Sequence, residues 1–469
     1  MTRQVFSLGG DREDGLAIAA EFVADAWREF DSARDAEPEI SDELRAHLAA
    51  GLPQDGIGIF AALGRGGEVL DTSLAQARPR YFAYIGSSGL EVGALADLLA
   101  HSYDVNMALN AGGASLMEHQ TLRWLGEFVG FPAGSGSFTS GGTISNITAL
   151  AAARQRALPT SREDGMHGHR AAVYCSAEAH YSVQRAVELL GMGSRGCRSV
   201  PIDGARRMRA DALDDMLTAD KAAGITPVAV VATGGTTLTG AVDPIDAIAD
   251  VCERHGVWLH IDGAYGLPAA SVRAEQFSGL SRADSVSVDA HKWMFVPKAC
   301  SAVMVRDEEA LADAFAHATE YIPAHSRNAV DVTLEYSRPL RSFKLWLAFA
   351  VYGAEEFRRA LRMNLGQAQL LYDLARAAVN WEVLPNPPQL SIVPIRQVVP
   401  GCSDVNAHNA ALCEAMQADG RVYLSHADID GEQWLRPCFT NFRTTDEDVR
   451  ILLKVADELG HAGCERMHE

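Results

Sequence analysis

Val257-Trp-Leu-His-Ile-Asp-Gly-Ala-Tyr-Gly266 and Ser285-Val-Ser-Val-Asp-Ala-His-Lys-Trp293 decide the fold. Each opens on a short run rich in apolar and β-branched residues, then breaks into a turn at an aspartate, Asp262 or Asp289. Runs this short, bounded by turn residues, read as strands of a covered sheet. Similar runs stand at Ala171-Ala-Val-Tyr-Cys175, Pro227-Val-Ala-Val-Val-Ala232 and Ser301-Ala-Val-Met-Val305. Helix-period segments at 118–129, 143–156, 180–190, 211–222 and 244–255 separate or follow them. Strands alternating with helices predict an α/β fold with a mainly parallel sheet covered on both faces. Ligands of such sheets bind at the carboxyl ends of the strands, so chemistry is expected just after each one.

Outward from this block the pattern changes. Residues 15–30 place Leu16, Ile18, Ala19, Phe22, Val23 and Trp27 at helical spacing, and Ser41-Asp-Glu-Leu44 opens a second helix with a capping-type start. Residues 1–88 therefore read as a helical arm suited to wrapping a partner subunit, 89–352 as the large domain and 353–469 as a smaller α+β domain. In the tail, helices are expected at 366–379, 404–418 and 445–459, and strands at 391–395, 421–424 and 433–437. The polar stretch 321–336 has no period and precedes a helix-like segment at 338–360; it is expected to be a mobile lid.

The 469 residues carry 41 Lys and Arg against 61 Asp and Glu, a formal charge of −20. That balance argues against a nucleic-acid-binding main function, which needs clustered cations. No apolar run reaches the roughly 18 residues needed to span a bilayer, and Met1–Gly10 lacks a secretory core, so a cytoplasmic chain is expected. None of the eight cysteines forms a CxxC pair, which points to reduced thiols. His167-Gly-His169 sits in a polar, Gly-containing stretch and reads as a solvated loop; no metal is expected.

Four elements carry chemistry. Lys292 directly follows a strand, where desolvation would lower its pKa and make it a nucleophile toward aldehydes. Asp262, thirty residues earlier, ends another strand and suits a partner for a ligand's ring nitrogen; Gly263, Ala264 and Gly266 beside it leave room for a flat ring. Ser137-Phe-Thr-Ser-Gly-Gly-Thr-Ile-Ser-Asn146 leads into a helix, and its glycines and hydroxyls suit a phosphate; without a GK[ST] ending it is no Walker loop, and without GxGxxG no dinucleotide site. His180, after the strand ending at Cys175, is placed to stack on a flat cofactor. Together these are the needs of pyridoxal phosphate.

Their order resembles the group II pyridoxal-phosphate-dependent amino-acid decarboxylases, such as those acting on aromatic amino acids and glutamate. The resemblance extends over nearly the whole chain, through Pro79-Arg-Tyr-Phe-Ala-Tyr84, Glu118 with Arg123-Trp-Leu-Gly126, Val231-Ala-Thr-Gly-Gly-Thr-Thr237 with Asp243-Pro244, His260-Ile-Asp-Gly-Ala264, Asp289-Ala-His-Lys-Trp293 and Ser337-Arg-Pro-Leu-Arg-Ser342. It implies the aspartate-aminotransferase-like fold (fold type I) and a homodimer with active sites at the subunit interface. It implies that Lys292 holds pyridoxal 5'-phosphate as a Schiff base, that Asp262 pairs with the ring nitrogen, and that Ala264 and His180 pack on the two ring faces. Gly142, Thr143 and His291 would hold the phosphate, and Thr237 would lie near the ring hydroxyl.

The implied reaction is decarboxylation of a small-molecule L-amino acid to its amine. Relatives take the returning proton from a loop tyrosine, which this sequence does not place by motif: Tyr321 and Tyr336 flank the loop, and Asp331-Val332 stands near the family's Asp-Tyr step. An oxygen-dependent, aldehyde-forming enzyme or a carbon–carbon lyase of the same fold is therefore the alternative. The expected substrate pocket is Tyr84, Ile85 and Ser87, faced by Asp104 and Asn106 of the other subunit. Lacking the bulky aromatic walls of the aromatic enzymes, it suggests a polar or basic amino acid.

Overall fold

In the computed structural model, the described residues are 7–34, 36, 38–317 and 328–466, with side chains described through 460. Tyr321 and the first part of the expected lid lie outside them. The large sheet has seven strands: β1 (Ser135–Thr139), β2 (Ala171–Ser176), β3 (Cys197–Val200), β4 (Thr226–Thr233), β5 (Trp258–Asp262), β6 (Ser285–Asp289) and β7 (Ser301–Val305), in the order β1-β7-β6-β5-β4-β2-β3. Strand β7 runs antiparallel to both its neighbours, and the pairs from β6 through to β3 are parallel. Every residue of β5, β6 and β7 is buried, as expected for strands between two helical layers.

The strands β1 and β3 are additions to the sequence expectation. Ser135–Thr139 lies in the stretch read only as a phosphate loop, and its serines and glycine conceal an edge strand. Helices match the expected segments closely: Gly142–Ala157, Ser182–Leu189, Ala210–Ala222 and Ile245–His255.

The small domain is a four-stranded antiparallel sheet ordered β10-β11-β9-β8, made of β8 (Trp381–Val383), β9 (Ile395–Gln397), β10 (Ser425–Ile429) and β11 (Glu432–Arg436). Two expectations shift here. The strand read at 421–424 lies instead at 425–429, because Ser425–Ile429 closes a hairpin through the tight Asp430-Gly431 turn, both residues at positive φ. The strand read at 391–395 begins only at Ile395; Ile392 makes an isolated bridge to Cys438. The two helices read at 338–360 and 366–379 form one element, Phe343–Ala377, interrupted at Gly353, whose φ of 72° breaks helical geometry. Arg338 and Glu118, both quoted in the resemblance, form a buried two-pronged ion pair at 2.9 and 2.5 Å.

The described end of the expected lid is docked. Asn328 caps the turn Ala329–Val332 in a capping box with Asp331, Val330 N–H donates to the Ala108 carbonyl, and Val332 enters the core.

Candidate active site

Strands β4, β5 and β6 end side by side on Thr233, Asp262 and Asp289, with Asp262 in register with Thr233 and Ser287. A cavity opens there, lined by Gly142, Thr143, His180, Thr237, Asp262, Ala264, His291 and Lys292 among others. Eight residues singled out from five separated segments are thus brought to one place.

The buried Asp262 is heavily supported. Its Oδ2 accepts from Asn146 Nδ2 at 2.9 Å, and its Oδ1 accepts from Ala264 N–H at 3.2 Å and Ser287 Oγ at 3.3 Å. Three donors stabilise an ionised carboxylate away from water. The end of β4 is fixed by the buried Asp243, which accepts from Thr233 and Met208 backbone N–H groups at 2.8 and 2.7 Å; burial pushes its pKa up to about 6. Helix Gly142–Ala157 has no side-chain cap, and its first residues, Gly142 and Thr143, line the cavity.

Two expectations need correction. Lys292 is not a lysine of lowered pKa. Burial pulls its pKa down, but Asp289, 2.9 Å from Nζ, and Asp262 outweigh burial and hold it above the ordinary lysine value. In turn, burial raises the Asp289 pKa while Lys292 and His291 bring it below the ordinary value. Nor do Gly263 and Gly266 make room for a ring. A Cβ on Gly263 would strike Leu267 and, at 2.9 Å, the Ser287 carbonyl, and one on Gly266 would strike the Gly234 carbonyl. They are small because backbones pass closely there. Ala264 alone of the three lines the cavity, 3.0 Å from where a Gly142 Cβ would stand.

The residues read as the substrate pocket are not among those lining this cavity, although Arg436 joins the Tyr84 carbonyl to that of Thr237. Tyr84 is exposed at φ 55°, and Ile85 packs against the main core. Ser87 is buried and donates to the Val296 carbonyl at 2.8 Å. Asp104 is exposed in left-handed conformation at the end of helix Glu91–Tyr103, and the exposed Asn106 donates to Ser337 Oγ at 3.3 Å. His167 and His169 are exposed, and no metal-binding group of three or more side chains occurs among the described residues.

Sequence reading missed four contributors: Asn146, Ser182, Asp289 and Arg436. The first three stood inside or beside quoted motifs, but only the fold shows what they touch. Arg436, in β11, is buried and donates to the carbonyls of Thr237, Leu238 and Tyr84, tying the small domain to the cavity wall.

The site fits pyridoxal phosphate. An acid-supporting floor at Asp262, flat walls at Ala264 and His180, an amine at Lys292 and an uncapped helix start match its ring nitrogen, faces, aldehyde and phosphate. The buried Thr233 hydroxyl lines the same cavity without a partner, as a group awaiting a ligand would.

Comparison with known proteins agrees. The pyridoxal-dependent decarboxylase conserved domain matches residues 65–396. An aromatic-L-amino-acid decarboxylase of Bacillus atrophaeus is 32% identical over 93% of this chain and 93% of its own. An acidic amino acid decarboxylase of Bos taurus is 30% identical over 74% of this chain and 70% of its own. The structure of Oryza sativa TDC with PLP and tryptamine superposes with a TM-score of 0.90 at 26% identity, covering 98% of this chain and 99% of that one. A matched domain over most of the chain, near-complete structural overlap and a cavity that fits the cofactor lead to one conclusion: this chain belongs to the pyridoxal-dependent decarboxylases and is a PLP-dependent amino-acid carboxy-lyase with the type I fold.

Proposed function

We propose that the chain decarboxylates an aromatic L-amino acid to its amine, working as a cytoplasmic homodimer. Support for the substrate class comes from the Bacillus atrophaeus relative, matched over nearly its whole length. Bound pyridoxal phosphate supplies the conjugated ring that accepts the electrons of the breaking bond to the carboxylate. The chain does the rest. Asp262 presents a fixed negative charge to the ring nitrogen, and burial makes that charge effective. Ala264 and His180 would pack on the two faces of the ring. Gly142, Thr143 and His291 would hold the phosphate, and Thr237, braced by Arg436, would border the hydroxyl side. Lys292 Nζ lies 2.9 Å from Asp289 Oδ2, which holds it as an ammonium, so it would have to give up a proton before serving as a nucleophile.

The dimer is supported by the exposed apolar side chains of the arm and of the two helices that follow it. Leu52, Leu70, Tyr103 and Leu116 are 85%, 73%, 82% and 73% exposed, and most large exposed apolar side chains fall in the first 116 residues. Such a surface calls for a partner, and a second copy would cover it. The seven cysteines among the residues with described side chains are free thiols, in keeping with a reducing compartment.

A second reading of the substrate rests on Asp104. It is exposed at the end of helix Glu91–Tyr103, and in a dimer it would receive a basic amino acid instead. The deciding experiment is a panel of aromatic, acidic and basic L-amino acids, run with and without oxygen. Equal CO2 and amine from an aromatic substrate, with no oxygen uptake, is expected. Aldehyde, ammonia and oxygen uptake would overturn decarboxylation as the outcome, and turnover confined to basic substrates would overturn the aromatic assignment.

A further inference from the structure

A single line of hydrogen bonds runs beneath the cavity, from Trp258 to His180. Trp258 Nε1 lies 2.8 Å from Ser285 Oγ, which lies 2.8 Å from His260 Nδ1. His260 Nε2 is 3.0 Å from Asn146 Oδ1. Asn146 Nδ2 reaches Asp262 Oδ2 at 2.9 Å and Ser182 Oγ at 3.0 Å. Ser182 Oγ is 2.8 Å from His180 Nδ1. Trp258, His260, Asn146 and Ser182 are all buried.

The chemistry of the groups gives the line a direction. An indole N–H only donates and an ionised carboxylate only accepts. Ser285 therefore accepts from Trp258 and turns its own O–H toward His260 Nδ1, which leaves the His260 proton on Nε2. That N–H needs an acceptor, so the Asn146 amide points its oxygen at His260. Asp262 independently demands the same orientation, because it needs the amide nitrogen. The second Asn146 N–H then goes to Ser182 Oγ, and the Ser182 O–H is left for His180 Nδ1. The Ser182 backbone N–H, 3.2 Å away, also points at that nitrogen. His180 Nδ1 is thereby an acceptor.

We propose that Asn146 and Ser182 are positioning residues that hold His180 neutral, with its proton on Nε2, and couple that state to the ionised form of Asp262. The consequence is electrostatic. A charged His180 against the ring would compete with the protonated ring nitrogen for the Asp262 charge. One proton order prevents this by giving the imidazole two donors at Nδ1 and the carboxylate a neutral donor. The other charged groups facing His180 are Asp262 and Asp289, which favour its protonation, and Lys292 and Arg185, which oppose it. Burial outweighs them and lowers its pKa, while His260, buried in the same line, is lowered to about 4.

The proposal rests on the roles given above to Asp262 and His180, but its first readout does not. In cofactor-free protein labelled with 15N-histidine, His180→Gln assigns the His180 signals. Wild type should show Nδ1 bare and Nε2 protonated, unchanged over about pH 6 to 8. Ser182→Ala should give mixed tautomers and bring titration into that range, and Ser182→Thr should restore the wild-type pattern. In the loaded enzyme Ser182→Ala should lower kcat by about tenfold with KM nearly unchanged, again rescued by threonine. Asn146→Ala should disturb His180 and also weaken pyridoxal phosphate binding; if it does not fold, the Ser182 pair decides. A wild-type His180 protonated at Nδ1, or a Ser182→Ala protein with an unaltered His180, overturns the proposal. Altered tautomers with unaltered kinetics would instead overturn the coupling to Asp262 and the roles given to the two residues.

Discussion

The strand-end cavity and the N-terminal arm are built on opposite terms. Around the cavity Asp262 has three donors, Lys292 has a counter-ion, and His260 lies fully within a network of hydrogen bonds. The arm spends much of its apolar surface on solvent: Leu16, Leu52 and Leu70 are more than half exposed. The first region satisfies its charged groups from within the chain, whereas the second leaves large apolar side chains exposed. The substrate-pocket candidates Tyr84 and Asp104 are exposed like the arm, whereas Asp262 and Ala264 are buried at a strand end.

The sharpest way to break this contrast is at Lys292. Lys292→Ala should lose turnover by about 10⁴-fold or more and lose any borohydride-reducible chromophore. CO2 release and absorbance check both, and near-normal turnover would remove the cavity from the chemistry. Asp262→Ala should keep the fold and lower kcat by ~10²–10³, as for other preorganised charges; Asp262→Glu should recover part of it. On the arm, Leu52→Asp with Leu70→Asp should shift sedimentation from dimer to monomer and lower turnover by about tenfold. A dimer that persists unchanged would mean this face is not the interface. Asp104→Asn should alter catalytic efficiency toward basic substrates by less than about tenfold and leave aromatic ones unaffected.

The smallest expected effect concerns pH. The Lys292 pKa is raised, so its stabilisation is present at lower pH and lost as pH rises through its folded value. The Asp289 pKa is lowered, so its stabilisation is present above the ordinary carboxylate range and lost as pH falls through its folded value. Both act across neutral pH. In cofactor-free protein, the Tm advantage of wild type over Asp289→Asn should shrink by about 2–4 °C as pH falls below the carboxylate range. A constant difference would mean the pair contributes no net stability.

Much was legible in the chain itself. Lys292, Asp262 and His180 follow apolar runs, and a residue just past a buried strand can be located from pattern alone; the Gly142-Thr143 helix start is legible from its glycines and hydroxyls instead. The edge strand Ser135–Thr139 was not, because serine and glycine carry no strand signal and its antiparallel pairing with β7 supplies the preference. The direction of the Lys292 shift was also out of reach, since burial and a counter-ion act with opposite sign and only their distances decide.

What the sequence determined alone is the alternation of strands and helices, the identity of the reactive side chains and their place at strand ends, because these depend on local periodicity. What only the tertiary structure decided is who touches whom. Asn146 meets Asp262 across 116 residues and His260 across 114, and Arg436 reaches Thr237 across 199. Such contacts are set by sheet order and register, which no local window of residues contains.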